Sequence, residues 1–266
     1  MRRNGIFFGV VIILAGALLL AINLGVLTTR VWNFFWPVVI VLLGAWFLLR
    51  PVLMKNQPLD SVLSDVPLEG ASRGEITFEH GAGRLQVDGN ARAGELFNGT
   101  FLGGVTTNVQ RGADSVLANL KTPEDLIFAG PWNVGQYGFE WNVGVTPEIP
   151  IKLHFKTGAS ESILDLSSIK ASDISVETGA SSCELTLPAN AGMTYVQIKS
   201  GVASMKVHIP SGVAANINVK SGLSGLNIDP TRFNRNGDNY RSSDYETALN
   251  KVDISIEMGV GSVDIN

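Results

Sequence analysis

Cysteine and histidine are scarce in this sequence, and these shortages exclude whole classes of site. The single cysteine, Cys183, cannot form a disulfide within the chain and nearly excludes a thiol metal site. The three histidines, His80, His154 and His208, lack metal-ligand spacing. Nucleophile elbows, phosphate-binding loops and dinucleotide fingerprints are also missing. We therefore expect no enzymatic activity, no cofactor, no metal and no small-molecule substrate.

Acidic residues are missing from the first 55 residues, which contain five basic ones. Residues 75–266 show the opposite balance, with 14 basic and 21 acidic residues and a net charge of −7. Nucleic-acid binding requires a basic face, so the acidic body argues against a nucleic-acid partner. The sequence therefore divides into a positively charged N-terminal segment and an acidic body.

Two long apolar runs fill the N-terminal segment. Residues 6–27 carry no charge, and a helix of that length spans ~33 Å, enough for a hydrocarbon core of ~30 Å. A second run covers residues 32–49, after a turn at residues 28–30. We predict a two-helix transmembrane hairpin over residues 1–55. A cleaved signal peptide is the alternative, but its apolar region is usually only about 7–15 residues long.

Aromatic and basic residues mark the ends of the predicted helices, as interfacial anchors do. The anchors are Trp32, Trp36, Trp46, Arg2, Arg3 and Arg50. Only Arg30 lies in the turn, so the positive-inside rule predicts that both termini are cytoplasmic. We expect a multi-pass protein of the cell membrane, with the bilayer as its first partner and the acidic body in the cytoplasm.

Small residues form one face of the first predicted helix, where they allow close helix approach. The face contains Gly5, Gly9, Gly16 and Asn23, and Gly44 on the second helix could receive it. The face could pack the hairpin together or bind a partner, and both interpretations stay open.

Residues 56–74 read as a linker, because Pro58 and Pro67 interrupt helices and Gly70 and Gly74 loosen the backbone. Residues 75–266 form a repetitive domain. Each repeat is centred on a glycine, with apolar residues three and five positions before it and usually four and six after it. The repeat glycines are Gly81, Gly158, Gly179, Gly201, Gly222 and Gly259.

The alternation of apolar residues predicts half-buried strands. The inner apolar positions on either side of a glycine lie seven residues apart, an odd distance that a straight strand would place on opposite faces. We therefore interpret each glycine as a bend that needs glycine's backbone freedom. The predicted fold is an all-β, solenoid-like domain of parallel coils of about 21–22 residues, each stacked on the one before. A two-sheet antiparallel sandwich is the alternative.

Three side chains are assigned to the core of this domain. Cys183 occupies a repeat position held elsewhere by Met205, Leu226 and Val263, so it should be a small buried hydrophobe. Phe139 and Trp141 alternate as inward residues should.

A polar insertion at residues 230–244 separates the last two repeats. It predicts a protruding loop, and loops on a rigid scaffold often carry contacts. The candidate partner-binding residues are Phe233, Arg235, Tyr240 and Arg241. An insertion without a function is the alternative.

Two regions resemble a known bacterial family. The runs Gly-Val-Val-Ile-Ile-Leu-Ala-Gly at 9–16 and Trp-Pro-Val-Val-Ile-Val-Leu-Leu-Gly at 36–44 look like the LiaF-like transmembrane region. Leu-Asp-Leu-Ser at 164–167 and Gly-Ala-Ser at 158–160 and 179–181 resemble the adhesin-like, cell wall-active antibiotics response β domain of LiaF-like proteins. The resemblance implies a role in cell-envelope stress, in which the best-known type regulates a sensor histidine kinase.

These observations predict a membrane-anchored, non-enzymatic regulatory or interaction protein that modulates a sensor kinase. A polymerising, self-associating scaffold at the membrane is one alternative. A surface adhesin or ligand-binding module is another, and it requires the opposite membrane topology.

Overall fold

The computed structural model describes residues 36–41, 44, 60–123 and 139–266. The chain divides into two units, Met1–Gln57 and Pro58–Asn266. In the first unit, residues 36–41 and 44 are helical. In the described part of the chain, no helix has the length and apolar character needed to cross a membrane. The predicted spans at 6–27 and 32–49 lie almost entirely outside the described residues.

The second unit is mostly β-sheet, as the alternating pattern predicted. Its described strands are β1 (Ser61–Pro67), β2 (Arg73–Asp88), β3 (Glu95–Leu102), β4 (Thr106–Arg111), β5 (Ser115–Lys121), β6 (Phe139–Val145), β7 (Ile151–Asp165), β8 (Ala171–Thr186), β9 (Met193–His208), β10 (Ala214–Ile228), β11 (Asn234–Asn236), β12 (Asn239–Arg241) and β13 (Lys251–Ile265).

Strand β1 lies inside the segment 56–74 that was predicted to be a linker, so that prediction is wrong for Ser61–Pro67. The strand pairs antiparallel with β3, from Ser61 opposite Leu102 to Pro67 opposite Glu95. Proline is tolerated here because Pro67 ends a strand at the edge of the sheet.

Six long strands, β2, β7, β8, β9, β13 and β10, pair in parallel with their neighbours. We call the part of each strand before its repeat glycine the first limb and the part after it the second limb. In β8, Ile174 and Val176 are buried on the first limb and Cys183 and Leu185 on the second. The buried phase therefore shifts by one residue at the glycine, as predicted. Parallel pairing excludes the antiparallel sandwich for these strands and is the pairing that a solenoid requires.

The stacking order differs from the predicted one at the end of the chain. The order is β2-β7-β8-β9-β13-β10, so the last strand inserts between β9 and β10. Ile256 of β13 pairs with Ile198 of β9 on one side and with Val219 of β10 on the other. The expectation that each coil stacks on the preceding one is therefore wrong for β10, which does not pair with β9, whereas β13 does pair with β10.

Close backbone approach, rather than the predicted backbone freedom, accounts for five of the six repeat glycines, and Gly81 is the exception, since a Cβ there would meet no described atom within 4 Å. None of the six has a positive φ. Instead, a Cβ at Gly158 would lie 2.3 Å from the carbonyl oxygen of Gly81, and one at Gly259 would lie 2.6 Å from that of Gly201. Gly179, Gly201 and Gly222 each face the carbonyl oxygen of the stacked glycine in the same way, at 3.0–3.1 Å for the first two and 2.8 Å for the third. A side chain would therefore overlap the stacked backbone at Gly158, Gly222 and Gly259, and it would be tightly packed at Gly179 and Gly201.

The polar insertion is a cap rather than a protruding loop. Strands β11 and β12 form a hairpin, and β12 pairs with Asn216–Asn218 of β10. Phe233 is only 1% exposed and belongs to the hydrophobic core, while Tyr240 packs against that core. The Arg232 guanidinium donates hydrogen bonds to the carbonyl oxygens of Ile209, Pro210 and Val213. The hairpin thus covers the first limb of the last coil, where an exposed strand edge would otherwise remain.

The core lies between the limbs of the stacked strands and continues into the strands at the N-terminal end. Phe78 and Phe155 stack with ring centroids 5.1 Å apart, and Phe101 meets Trp141 edge-on at 5.3 Å. Phe139, Trp141 and Cys183 are buried, which confirms their assignment to the core. Leu226 is 37% exposed, so the same assignment is wrong for this residue.

The N-terminal end of the stack is built from shorter strands. β5 pairs in parallel with the first limb of β2, and β6 pairs in parallel with its second limb. β4 lies outside β5, whereas β3 and then β1 lie outside β6.

Candidate functional site

The six charged side chains two residues before the repeat glycines form, together with Lys121 of β5, one row across the sheet, which we call the charge ladder. Residues in the row are direct cross-strand partners. In spatial order the ladder reads Lys121, Glu79, Lys156, Glu177, Lys199, Glu257 and Lys220. Basic and acidic residues therefore alternate without exception over seven strands.

The alternation depends on the unexpected position of β13. Lys199 and Lys220 belong to repeats that are consecutive in sequence, and they would be partners if β10 stacked directly on β9. The inserted β13 places Glu257 between them. Opposite charges on directly paired residues stabilise a sheet by about 0.2–1 kcal/mol per pair, and like charges destabilise it. The charge pattern therefore favours the observed order over the sequential one.

The first pair of the ladder, Lys121 and Glu79, shows this electrostatic environment. The Lys121 ammonium lies 2.9 Å from a Glu79 carboxylate oxygen. Partial burial alone would raise the pKa of Glu79, but hydrogen bonds from Lys121 and Asn119 and the charges of Lys121 and Lys156 hold this pKa below its ordinary value. The carboxylate is therefore ionised at neutral pH.

An open groove runs along the ladder and the stacked glycines. His80 lines it, is 1% exposed, and lies edge-on to Trp141 with ring centroids 4.9 Å apart. Neither ring nitrogen has a hydrogen-bond partner among the described residues, and burial lowers the pKa of His80 to about 4. The imidazole is therefore neutral at physiological pH.

Among the described residues, the reactive side chains of the body do not converge. Burial raises the pKa of the Cys183 thiol to about 12, so the thiolate that would act as a nucleophile is not formed. Burial and the hydrogen bond donated to Asp253 raise the pKa of Tyr245. Within residues 60–123 and 139–266 and the short helical stretch, no group of three or more His, Cys, Asp or Glu side chains could hold a metal ion. The described geometry thus offers charged rows and edges rather than a reaction centre.

The predicted partner-binding residues of the insertion are occupied within the chain. The Arg235 guanidinium lies 5.6 Å from the centroid of the Tyr240 ring and donates a hydrogen bond to the Gly237 carbonyl oxygen. Arg241 lies 4.5 Å from the ring centroid of Tyr245 and forms an ion pair with Glu246. These contacts stabilise the cap.

Most of the predicted membrane residues fall outside the described residues. These are Gly5, Gly9, Gly16, Asn23, Trp32, Trp46, Arg2, Arg3 and Arg50. Trp36 is helical and 56% exposed, and a Cβ at Gly44 would meet no described atom within 4 Å. The roles assigned to all of these membrane residues remain predictions.

The charge ladder was not predicted from the sequence. A charged residue two positions before each glycine was visible in the repeat, but in sequence order its sign does not alternate between Lys199 and Lys220. The alternation becomes visible only once the position of β13 is known.

Known protein families match both parts of the chain, the N-terminal segment and the β-sheet body. The family described as the N-terminal domain of toast_rack, DUF2154, matches residues 55–208. A LiaI-LiaF-like transmembrane region matches residues 6–48, which places the chain at a membrane and confirms the predicted resemblance.

A solved structure from Clostridium sporogenes, provisionally described as a cell adhesion protein, has a TM-score of 0.72 and 23% sequence identity. The similarity covers 79% of this chain and 99% of that chain, and at this identity it shows the fold alone. A comparison with curated proteins finds no match. The toast_rack match covers more than half of the chain. The chain therefore belongs to the toast_rack family, with a LiaI-LiaF-like transmembrane region before its β-sheet domain.

Proposed function

We propose that this chain is a non-enzymatic interaction protein of the bacterial cell envelope, which a helical hairpin tethers to the membrane. The observation that carries the proposal is the combination of a LiaI-LiaF-like transmembrane region with a body that presents the charge ladder as a regular outward row. Such rows suit binding to another macromolecule, whereas catalysis requires convergent groups.

In this proposal the hairpin consists of helices at about 6–27 and 32–49, and a solenoid-like stack follows it in the cytoplasm. Reporter fusions test the topology. A reporter that is active only in the cytoplasm should be active after Asn266, and the same reporter inserted at Arg30 in the turn should be inactive. Activity at Arg30 but not after Asn266 would invert the topology.

The proposed partner of the hairpin is a sensor histidine kinase. The small-residue face of the first helix would contact this kinase in the membrane. That face is Gly5, Gly9, Gly16 and Asn23, with Gly44 opposite. The resemblance to LiaF-like proteins supports this choice. The gene neighbourhood identifies the kinase to test.

Co-purification of the full-length protein with that kinase from solubilised membranes provides the test. Gly9→Leu with Gly16→Leu should reduce the recovered kinase at least several-fold, because added side chains prevent close helix approach. Leu18→Phe adds bulk on the opposite helix face and serves as the matched control, which should retain the kinase. Equal recovery with all three proteins would contradict the proposed interface.

A surface adhesin is the second candidate, supported by the description of the Clostridium sporogenes protein. It requires the body to lie outside the membrane, so the same reporter fusions distinguish the two functions.

A further inference from the structure

One row of side chains crosses nine strands of the body and ends in an exposed apolar residue at each edge. Its members, each the direct partner of the next, are Val62, Phe101, Trp141, Leu85, Ser162, Cys183, Met205, Val263 and Leu226. The seven inner members are at most 4% exposed. Val62 is 41% exposed and Leu226 is 37% exposed. The two end residues therefore occupy a core position without the neighbour that would bury them.

Both end residues lie on open strand edges. Strand β1 pairs with β3 on one side, and among the described residues no strand pairs with its other side. Strand β10 pairs with β13 along its whole length, but on the other side the cap pairs only with Asn216–Asn218 and adds backbone hydrogen bonds at Ala215 and Val219. Its second limb up to Ile228 has no strand on that side among the described residues. Open edges of this kind are templates for another chain.

The two edges also have compatible directions. β1 is antiparallel to β3, and β3 is antiparallel to β6, so β1 and β6 run the same way. β6 is parallel to β2, and parallel pairing continues from β2 to β10. A strand equivalent to β1, if placed beside β10, would therefore extend the stack in the same parallel manner as its own coils.

We propose that copies of this chain associate head to tail, with β1 of one copy added to the second limb of β10 in the next. The addition brings Val62 of one copy beside Leu226 of the other and so continues the buried row across the junction. Leu63, which is 78% exposed, then lies beside Asn227, because both belong to the adjacent outward row. Such a heterologous contact leaves one free edge at each end and therefore generates chains or rings.

The contact is small, since one strand of seven residues provides it. Interfaces this limited belong to the weak class, below about 1,200 Å² of buried surface. Anchoring in a shared bilayer raises the effective concentration of neighbouring copies, as linkage does for tethered modules. Association is therefore expected in the membrane and should be weak in dilute detergent solution. This inference goes beyond the proposed function, and it does not depend on the kinase.

Disulfide cross-linking of the full-length protein in membranes tests the proposal. The double variant Leu63→Cys/Asn227→Cys should give a ladder of dimers, trimers and larger species under mild oxidation, because directly paired residues meet the Cα separation of about 4.4–6.8 Å that a disulfide requires. Each single variant should remain monomeric. Co-expression of the two single variants should give dimers only, since each copy then carries one reactive end. Wild type controls for the native Cys183, which is buried.

Val62→Lys in the double-cysteine background should reduce the ladder at least tenfold, because a lysine on an edge strand blocks pairing. Val109→Lys is the matched control. Val109 is 36% exposed on β4, at the first-limb edge, and its replacement should leave the ladder intact. Unchanged thermal unfolding of both variants would show that the body still folds.

Three results would overturn the proposal. The first is dimer formation by Leu63→Cys alone, which would indicate a symmetric contact between two β1 strands. The second is the absence of cross-links in the double variant, and the third is a ladder that Val109→Lys reduces as strongly as Val62→Lys. Loss of kinase binding would leave the cross-linking result unchanged, so failure of the proposed function and failure of this inference are distinguishable.

Discussion

The coil of β9 and the coil of β10 follow the same sequence pattern, yet they differ in burial. Met205 and Leu226 each lie four residues after the repeat glycine of their strand, but Met205 is 1% exposed and Leu226 is 37% exposed. β9 has a long strand on both sides, whereas the second limb of β10 has a described strand on one side only. The apolar pattern thus defines which face points inward, while neighbouring coils decide how much of that face is removed from water.

The largest expected effect tests this comparison directly. Met205→Ala should lower the free energy of unfolding by about 2–5 kcal/mol, because it removes buried atoms and leaves a cavity. Leu226→Ala should cost clearly less, since much of its side chain is already in water. Denaturant unfolding followed by the fluorescence of the buried Trp141 measures both. Equal losses would show that β10 is covered as completely as β9.

A pH titration extends the comparison to His80 of β2, a strand with described neighbours on both sides, β5 and β7. Its pKa in the folded state is about 4, below the ordinary value of 6.5, so the unfolded chain binds more protons between these values. Stability should therefore be lost as the pH falls from about 6.5 to 4, by up to ~3 kcal/mol. His80→Phe should reduce this dependence. His208→Gln, at an exposed histidine, is the control and should retain it.

The repeat glycines offer the same contrast between stacked and terminal positions. Gly158→Ala should destabilise the fold by about 1–3 kcal/mol, because the new Cβ would lie 2.3 Å from the Gly81 carbonyl oxygen. Gly81→Ala should change stability by less than about 0.5 kcal/mol, since its Cβ would meet no described atom within 4 Å. Thermal unfolding of both variants distinguishes them. A large loss from Gly81→Ala would instead support the need for glycine's backbone freedom.

The smallest expected effect concerns the charge ladder. Lys199→Glu reverses an inner residue with two acidic partners, Glu177 and Glu257, whereas Lys220→Glu reverses the last residue, which has only Glu257. At about 0.2–1 kcal/mol per pair, the inner reversal should cost roughly twice as much. Both losses should shrink in 1 M salt, where screening weakens exposed pairs. Equal losses of stability that do not depend on salt would show that the charge ladder does not help to determine the strand order.

Several features of the fold followed from local patterns alone. The parity change at each glycine, the burial of Cys183, Phe139 and Trp141, and the parallel pairing of long strands all agree with expectation. These features were predictable because the side-chain period of a strand is two residues and depends on neighbours along the chain. The transmembrane resemblance was also readable, since it rests on contiguous runs of apolar and small residues.

Other features depended on residues far apart in sequence. Strand β1 was missed because its partner β3 lies about 35 residues away and no local repeat marks it. The polar insertion was misread because Phe233 enters the core only when the hairpin folds onto β10. Arg232 holds it there through three carbonyl groups that become neighbours only in the folded chain.

The alternation of apolar residues was enough to assign the core-facing side of each long strand, because successive side chains of a strand point to opposite faces whatever strand lies beside it. The insertion of β13 between β9 and β10, the close backbone approach at five of the six repeat glycines, and the open strand edges among the described residues emerge only in the folded chain. Each of these depends on which strand becomes a neighbour. Which strands become neighbours depends on charges, backbones and apolar surfaces that are far apart in sequence, so it cannot be inferred from any single segment.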